Sequence, residues 1–162
     1  MHTIEAQIRK QQNILICSGI GMILFGIWSI IRLVLMRYIN ESQFISFFRT
    51  VEGIPESTYE QLVFIIVLVL LSIDLIVRFY IGRSAINESR GIYKKHVTYI
   101  VIAALYAFSN ILGDLSQIPA FVSKSITLYE FMDDIIDITI NIATIEIVIA
   151  AIKVRKLEKK SR

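Results

Sequence analysis

Residues Gln61–Ile81 read QLVFIIVLVLLSIDLIVRFYI, and the centre of that stretch, Phe64–Leu71, is apolar on every side. A soluble amphipathic helix keeps a polar face, which this centre lacks altogether. A strand of such composition would have to be about twice the usual maximum of roughly 10 residues. The stretch has the length of roughly 20 residues that a helix needs to cross a hydrocarbon core. A membrane-spanning helix is the reading that remains.

Three more runs have the same character: Ile14–Leu35, Val97–Leu112 with an extension to about Ile118, and Leu128–Ile152. Together they predict an all-α fold, a four-helix transmembrane bundle with spans at approximately 14–35, 61–81, 97–118 and 128–152. The chain reads as a single integral membrane domain over 1–162, ending in a basic cytoplasmic tail at 153–162. Composition agrees, with 55% hydrophobic residues and a mean hydropathy of +0.63. Only two prolines and seven glycines interrupt the chain, so no low-complexity linker divides it.

Charge fixes the expected threading. Twelve of the 17 lysines and arginines fall in three places: the N-terminal segment (Arg9, Lys10), the 82–96 loop (Arg83, Arg90, Lys94, Lys95), and the tail from Lys153 to Arg162. The 36–60 and 113–127 loops hold only Arg37, Arg49 and Lys124. Cytoplasmic loops carry the excess of Lys and Arg, so both termini and the 82–96 loop are predicted to be cytoplasmic, in the cell membrane. Ser57-x-x-Glu60 and Thr127-x-x-Glu130 read as capping boxes just ahead of apolar runs. Phe44, Ile45, Phe48 and Val51 recur at helical spacing, which predicts a short amphipathic helix around 42–52 at the outer interface. The first run, with Arg9 and Lys10 ahead of it and no small-residue cleavage site before Arg32, reads as an uncleaved signal anchor.

The polar residues inside the runs are the functional candidates. At about 100° per residue, Glu130, Asp133, Asp134, Asp137, Asn141 and Thr144 share one face of the fourth run. The third gathers Tyr99, Tyr106, Asn110 and Asp114, the first Ser18, Trp28, Ser29 and Arg32, and the second Asp74 and Arg78. Charges are costly in lipid, so these faces are expected to turn toward one another. In the outer half a single Arg32 then meets the carboxylates Asp114, Asp133, Asp134 and Asp137. That imbalance marks Asp133, Asp137, Asp134, Asp114, Asn110 and Asn141 as candidate cation ligands. In the inner half Asp74, Arg78 and Glu146 are expected to form internal ion pairs, with Arg78 meeting Glu146.

Three functions stay open on these residues. One is a small transporter or channel handling a cation or basic solute through the acidic outer half. The second is a non-catalytic accessory or assembly subunit whose polar faces dock other spans. The third is a magnesium-dependent membrane enzyme, from the DDxxD spelling of Asp133-Asp134-Ile-Ile-Asp137. Two carboxylates four residues apart can face one magnesium ion, but neither a second acidic motif nor a basic diphosphate clamp accompanies them. No cofactor is implied, and the metal remains unspecified. Cys17 is alone, which rules out an intrachain disulfide. The expected partners are the bilayer, anionic lipid at the basic tail, and copies of itself or a larger membrane complex. Nucleic acid is not among them.

Overall fold

The computed structural model describes residues 2–39, 56–91, 97–123 and 128–161, with side chains at 4–35, 38, 61–91, 97–113, 115 and 135–160. Four helices fill these segments: α1 (His2–Ile39), α2 (Glu56–Ser89), α3 (Thr98–Ser123) and α4 (Leu128–Ser161). The described residues contain no strand. The capping boxes at Ser57–Glu60 and Thr127–Glu130 and the helix expected at 42–52 lie outside the described side chains or residues.

Three helices are long and apolar enough to cross a membrane, at Ile4–Leu35, Gln61–Ser89 and Ile135–Lys160. The apolar part of α3, Thr98–Gly113, is shorter. Its rise of roughly 24 Å falls below the hydrocarbon thickness of about 30 Å. The outward surfaces explain why water is the wrong solvent for this fold. On α2, Leu62, Ile65, Ile66, Val69, Leu70, Ile73 and Ile76 are each about half exposed or more, and Leu24, Ile27, Leu105, Phe108, Ile142 and Ile149 continue the apolar belt on other helices. Soluble monomers rarely expose contiguous apolar patches of more than a few hundred Å².

Packing pairs neighbouring helices antiparallel. On α1, Gly19 lies against Gly82 and Ala85 of α2, while Gly26 lies against Leu75 and Arg78. A Cβ on Gly19 would stand 2.8 Å from the Gly82 carbonyl oxygen, and one on Gly82 would stand 2.5 Å from that of Gly19. Glycine at both positions is what lets the two backbones approach. Gly19 and Gly26 are seven residues apart, two helical turns, and so share the α2-facing side of α1. Gly21, off that side, has open space around it. Along the other flank of α1, Ser18 contacts Glu146 and Met22 contacts Thr144 of α4. Tyr99 and Tyr106 of α3 reach Glu88 and Asp74 of α2.

These pairs bring the start of α1, the end of α2, the start of α3 and the end of α4 to one end of the molecule. The core between them contains Leu15, Met22, Ile81, Ala85, Tyr99, Ala103, Ile140, Ile147, Ala151 and Val154, all essentially buried. The helices overrun the expected spans at several ends, α1 beginning at His2 and α3 reaching Ser123, and two of these extensions bear on the site. The helix α2 runs on past its apolar stretch to Ser89 and stops where Gly91 adopts φ 72°. There the Gly91 amide donates to the Glu88 carbonyl at 3.0 Å, a left-handed glycine stop. The segment expected as a basic tail is helical to Ser161, and Val154 within it is buried.

Candidate functional site

Three polar clusters are built where these helices meet. The first ties three helices at the basic end. Glu88, 7% exposed, sits on the same inward row of α2 as Arg78, Ile81 and Ala85. Arg155 from α4 donates to both its carboxylate oxygens, Nε to Oε1 at 2.6 Å and Nη2 to Oε2 at 2.8 Å. The Tyr99 hydroxyl of α3 donates to Oε2 as well. A bidentate guanidinium plus a phenol satisfies most of what a carboxylate can accept, and such charge-assisted bonds are the strong ones. This cluster is a closed clamp. Sequence reasoning misses it, because by apolar content Glu88 falls in the 82–96 loop and Arg155 in the basic tail. The signal was the spacing of Arg78, Ile81, Ala85 and Glu88, which continues one helical face beyond the apolar run.

The second cluster lies roughly three to four turns deeper along α2. Asp74 and Arg78 pair within α2, with Nε 2.6 Å from Oδ2. The approach is close, yet neither Nε nor Nη1 of the buried guanidinium aims a hydrogen at an acceptor among the described residues. The attraction is therefore chiefly Coulombic. Tyr106 of α3 donates to Asp74 Oδ1 at 2.7 Å and turns its ring toward the guanidinium, whose carbon is 5.8 Å from the ring centre. Asn110, one turn further along α3, lies near the same phenol. The structure thus gathers Asp74, Arg78, Tyr106 and Asn110 between α2 and α3.

Glu146 stands apart from both. Its expected partner was Arg78, which is instead occupied by Asp74. The observed contact is with Ser18, whose Oγ donates to Oε2 at 2.8 Å. The reason is placement: α1 lies between α2 and α4 along this flank, so Ser18 meets the carboxylate first. Glu146 is exposed, and its neighbours one turn away on α4, Ile142, Ala143, Ile149 and Ala150, offer no base. It lies seven residues before Lys153, roughly 10 Å along the axis. An acidic side chain at mid-bilayer costs on the order of 3 kcal/mol, and less toward the interface. Beside it runs a surface groove of about 570 Å³ between α1 and α4, lined by residues that include Arg9, Lys10, Asn13, Cys17 and Ser18.

The acidic outer half is less developed. Asp114, Asp133 and Asp134 have side chains outside those described. Asp137 is exposed and Arg32 half-buried, while Asn141 is buried at 7% exposure one turn further along. Trp28, expected on the inward face of α1, is 45% exposed; the inward row is Leu15, Ser18, Met22 and Leu33. Among the described residues no three His, Cys, Asp or Glu side chains converge as a metal site. No protein-family description, curated protein or solved structure matches this chain.

Proposed function

We propose that this chain is a four-span integral membrane protein with both termini cytoplasmic, acting through its lateral surface as a non-catalytic assembly or accessory subunit. The observation that carries this reading is the filled interior. At mid-height the helices close on Met22, Thr144, Ile140 and Ile147, each at most 1% exposed. Thr144 Oγ1 is held by the Ile140 carbonyl at 2.8 Å and faces the Met22 sulfur at 3.2 Å. The inward charges at Asp74, Arg78, Glu88 and Arg155 answer one another. A conduit needs a continuous row of hydrated polar groups, and among the described residues the inward charges are largely taken up by one another.

The fourth crossing is assigned to α3. Three crossings would leave the termini on opposite sides, while the basic residues of α1 and α4 share one end. The whole of α3, Thr98–Ser123, rises about 39 Å, enough to cross even though its apolar part is short. The basic end then faces the cytoplasm, where Lys153, Lys156, Lys159 and Lys160 meet anionic head groups.

The test is flux. Purified protein in proteoliposomes, assayed with sodium, potassium, protons and a small polyamine, should pass none of them faster than empty vesicles. Flux that disappears in Asp137→Asn would replace this reading with the transporter one.

A further inference from the structure

The Arg78 guanidinium is buried, and its Nη1 has no hydrogen-bond acceptor among the described residues. Its surroundings show where that nitrogen is directed. A Cβ on Gly26 of α1 would stand 3.3 Å from Arg78 Cδ, and the guanidinium carbon lies over the Tyr106 ring of α3. Both α1 and α3 pack against α2 and α4, whereas α2 and α4 scarcely touch and so face each other across the centre. A side chain of α2 that runs between α1 and α3 is therefore directed at α4. Arg155 makes the same crossing in reverse, from α4 to Glu88 of α2. The polar residue of α4 at the level of Arg78 is Asn141. It precedes Arg155 by 14 residues, nearly four whole turns, and so lies within about 40° of the same side of the helix. Its height follows from α1. Thr144 faces Met22, and one turn further from the basic end α4 reaches Asn141 while α1 reaches Gly26, the residue against Arg78. Asn141 has contacts of its own, but its Oδ1 is buried and receives no hydrogen bond from the described residues. Buried polar atoms are nearly always satisfied, by protein or by ordered water.

We propose that a single water molecule is bound at mid-height between α2 and α4, accepting a hydrogen bond from Arg78 Nη1 and donating one to Asn141 Oδ1. Water is the ligand that fits because one wall offers a donor and the other an acceptor, and water serves both at once. An anion is opposed on two counts. Asp74, 2.6 Å from Arg78 Nε, already neutralises the guanidinium, and the opposite wall is a carbonyl oxygen. A metal cation is opposed by Arg78 itself. Ala103 and Ala107, both buried and small, flank Tyr106 on the α3 wall, and one water occupies only about 30 Å³. The site opens no path through the molecule, because fully buried Met22, Thr144 and Ile147 close it on the side of the basic end. It ties α2 to α4 in the middle of the bilayer, as the Glu88–Arg155 pair ties them at the basic end.

The test is a crystal structure of the unmodified chain grown from a lipid phase, at a resolution that shows ordered water. A density peak roughly 2.7–3.2 Å from both Nη1 and Oδ1 is expected. Direct contact between the two side chains, or no peak between them, would overturn the proposal. Solid-state NMR on proteoliposomes carrying isotope-labelled arginine gives a second readout, the transfer of magnetisation from water to the Arg78 Nη nitrogens. Asn141→Leu keeps the volume, removes the acceptor, and should reduce that transfer at least threefold. Thr144→Val removes a hydroxyl already held by the Ile140 carbonyl and should leave it unchanged. Transfer that is absent in the unmodified chain, or undiminished in Asn141→Leu, sinks the bridge. Should Asn141→Leu fail to fold, the crystal structure of the unmodified chain still decides the matter.

Discussion

Glu88 and Glu146 sit near the same end of the molecule, and their surroundings differ in every respect. Glu88 is buried and receives three hydrogen bonds from two other helices. Glu146 is exposed and receives one, from the hydroxyl of Ser18. A carboxylate that is closed in by its own chain contributes to folding and has nothing left to offer a partner. One that among the described residues receives a single neutral donor, in an open groove shared with Arg9 and Lys10, is bound far less tightly by its own fold. The difference separates a carboxylate that holds helices together from one whose loss the fold should hardly register.

The comparison breaks most visibly at Arg155. Arg155→Ala leaves Glu88 buried with only the Tyr99 phenol, and removing one partner of a buried pair costs about 3–5 kcal/mol. Thermal or denaturant unfolding in detergent should show a loss at or below the low end of that range, because Arg155 is partly exposed, with 26% of its side chain accessible. The double variant Arg155→Leu with Glu88→Leu should be less destabilised than the single. If it is worse, the clamp is not behaving as a charge pair.

Gly82→Ala comes next. The added methyl would meet the Gly19 carbonyl, a backbone atom that cannot rotate away, so α1 and α2 must separate. Overpacking of this kind costs roughly 1–3 kcal/mol. Gly21→Ala, where space is open, is the matched control and should unfold with the unmodified protein.

Tyr99→Phe isolates the third donor of the clamp. It removes a hydrogen bond to a charged group, worth about 1.5–3 kcal/mol where buried, and Arg155 remains to hold the carboxylate, so the measured loss should be close to the lower figure. A loss as large as that of Arg155→Ala would mean that the phenol, and not the guanidinium, organises the cluster.

The smallest expected change in monomer stability is at Glu146. Glu146→Gln keeps an acceptor for Ser18 and removes a charge from the lipid edge, so unfolding should shift by less than about 1 kcal/mol in either direction. A shift matching that of Arg155→Ala would erase the distinction between the two carboxylates.

The sequence by itself determined the solvent of this fold and the order of its helices. Apolar runs such as Phe64–Leu71 have no stable place in water, and that argument needs no neighbours. It also grouped Asp74 with Arg78, because residues four apart on a helix face the same way whatever surrounds them. Contacts between helices were a different matter. That Arg78 would turn to Asp74 and leave Glu146 to Ser18 depended on α1 lying between α2 and α4, a fact written in no single segment. The Glu88 clamp was hidden for the same reason: Glu88 and Arg155 are 67 residues apart, and each looks like an ordinary charge flanking a span. Only packing showed that α2 and α4 extend far enough past their apolar runs to bury those charges against each other. Periodicity reports which side of a helix is polar; which polar side meets which is decided by helix adjacency, and adjacency is a tertiary property.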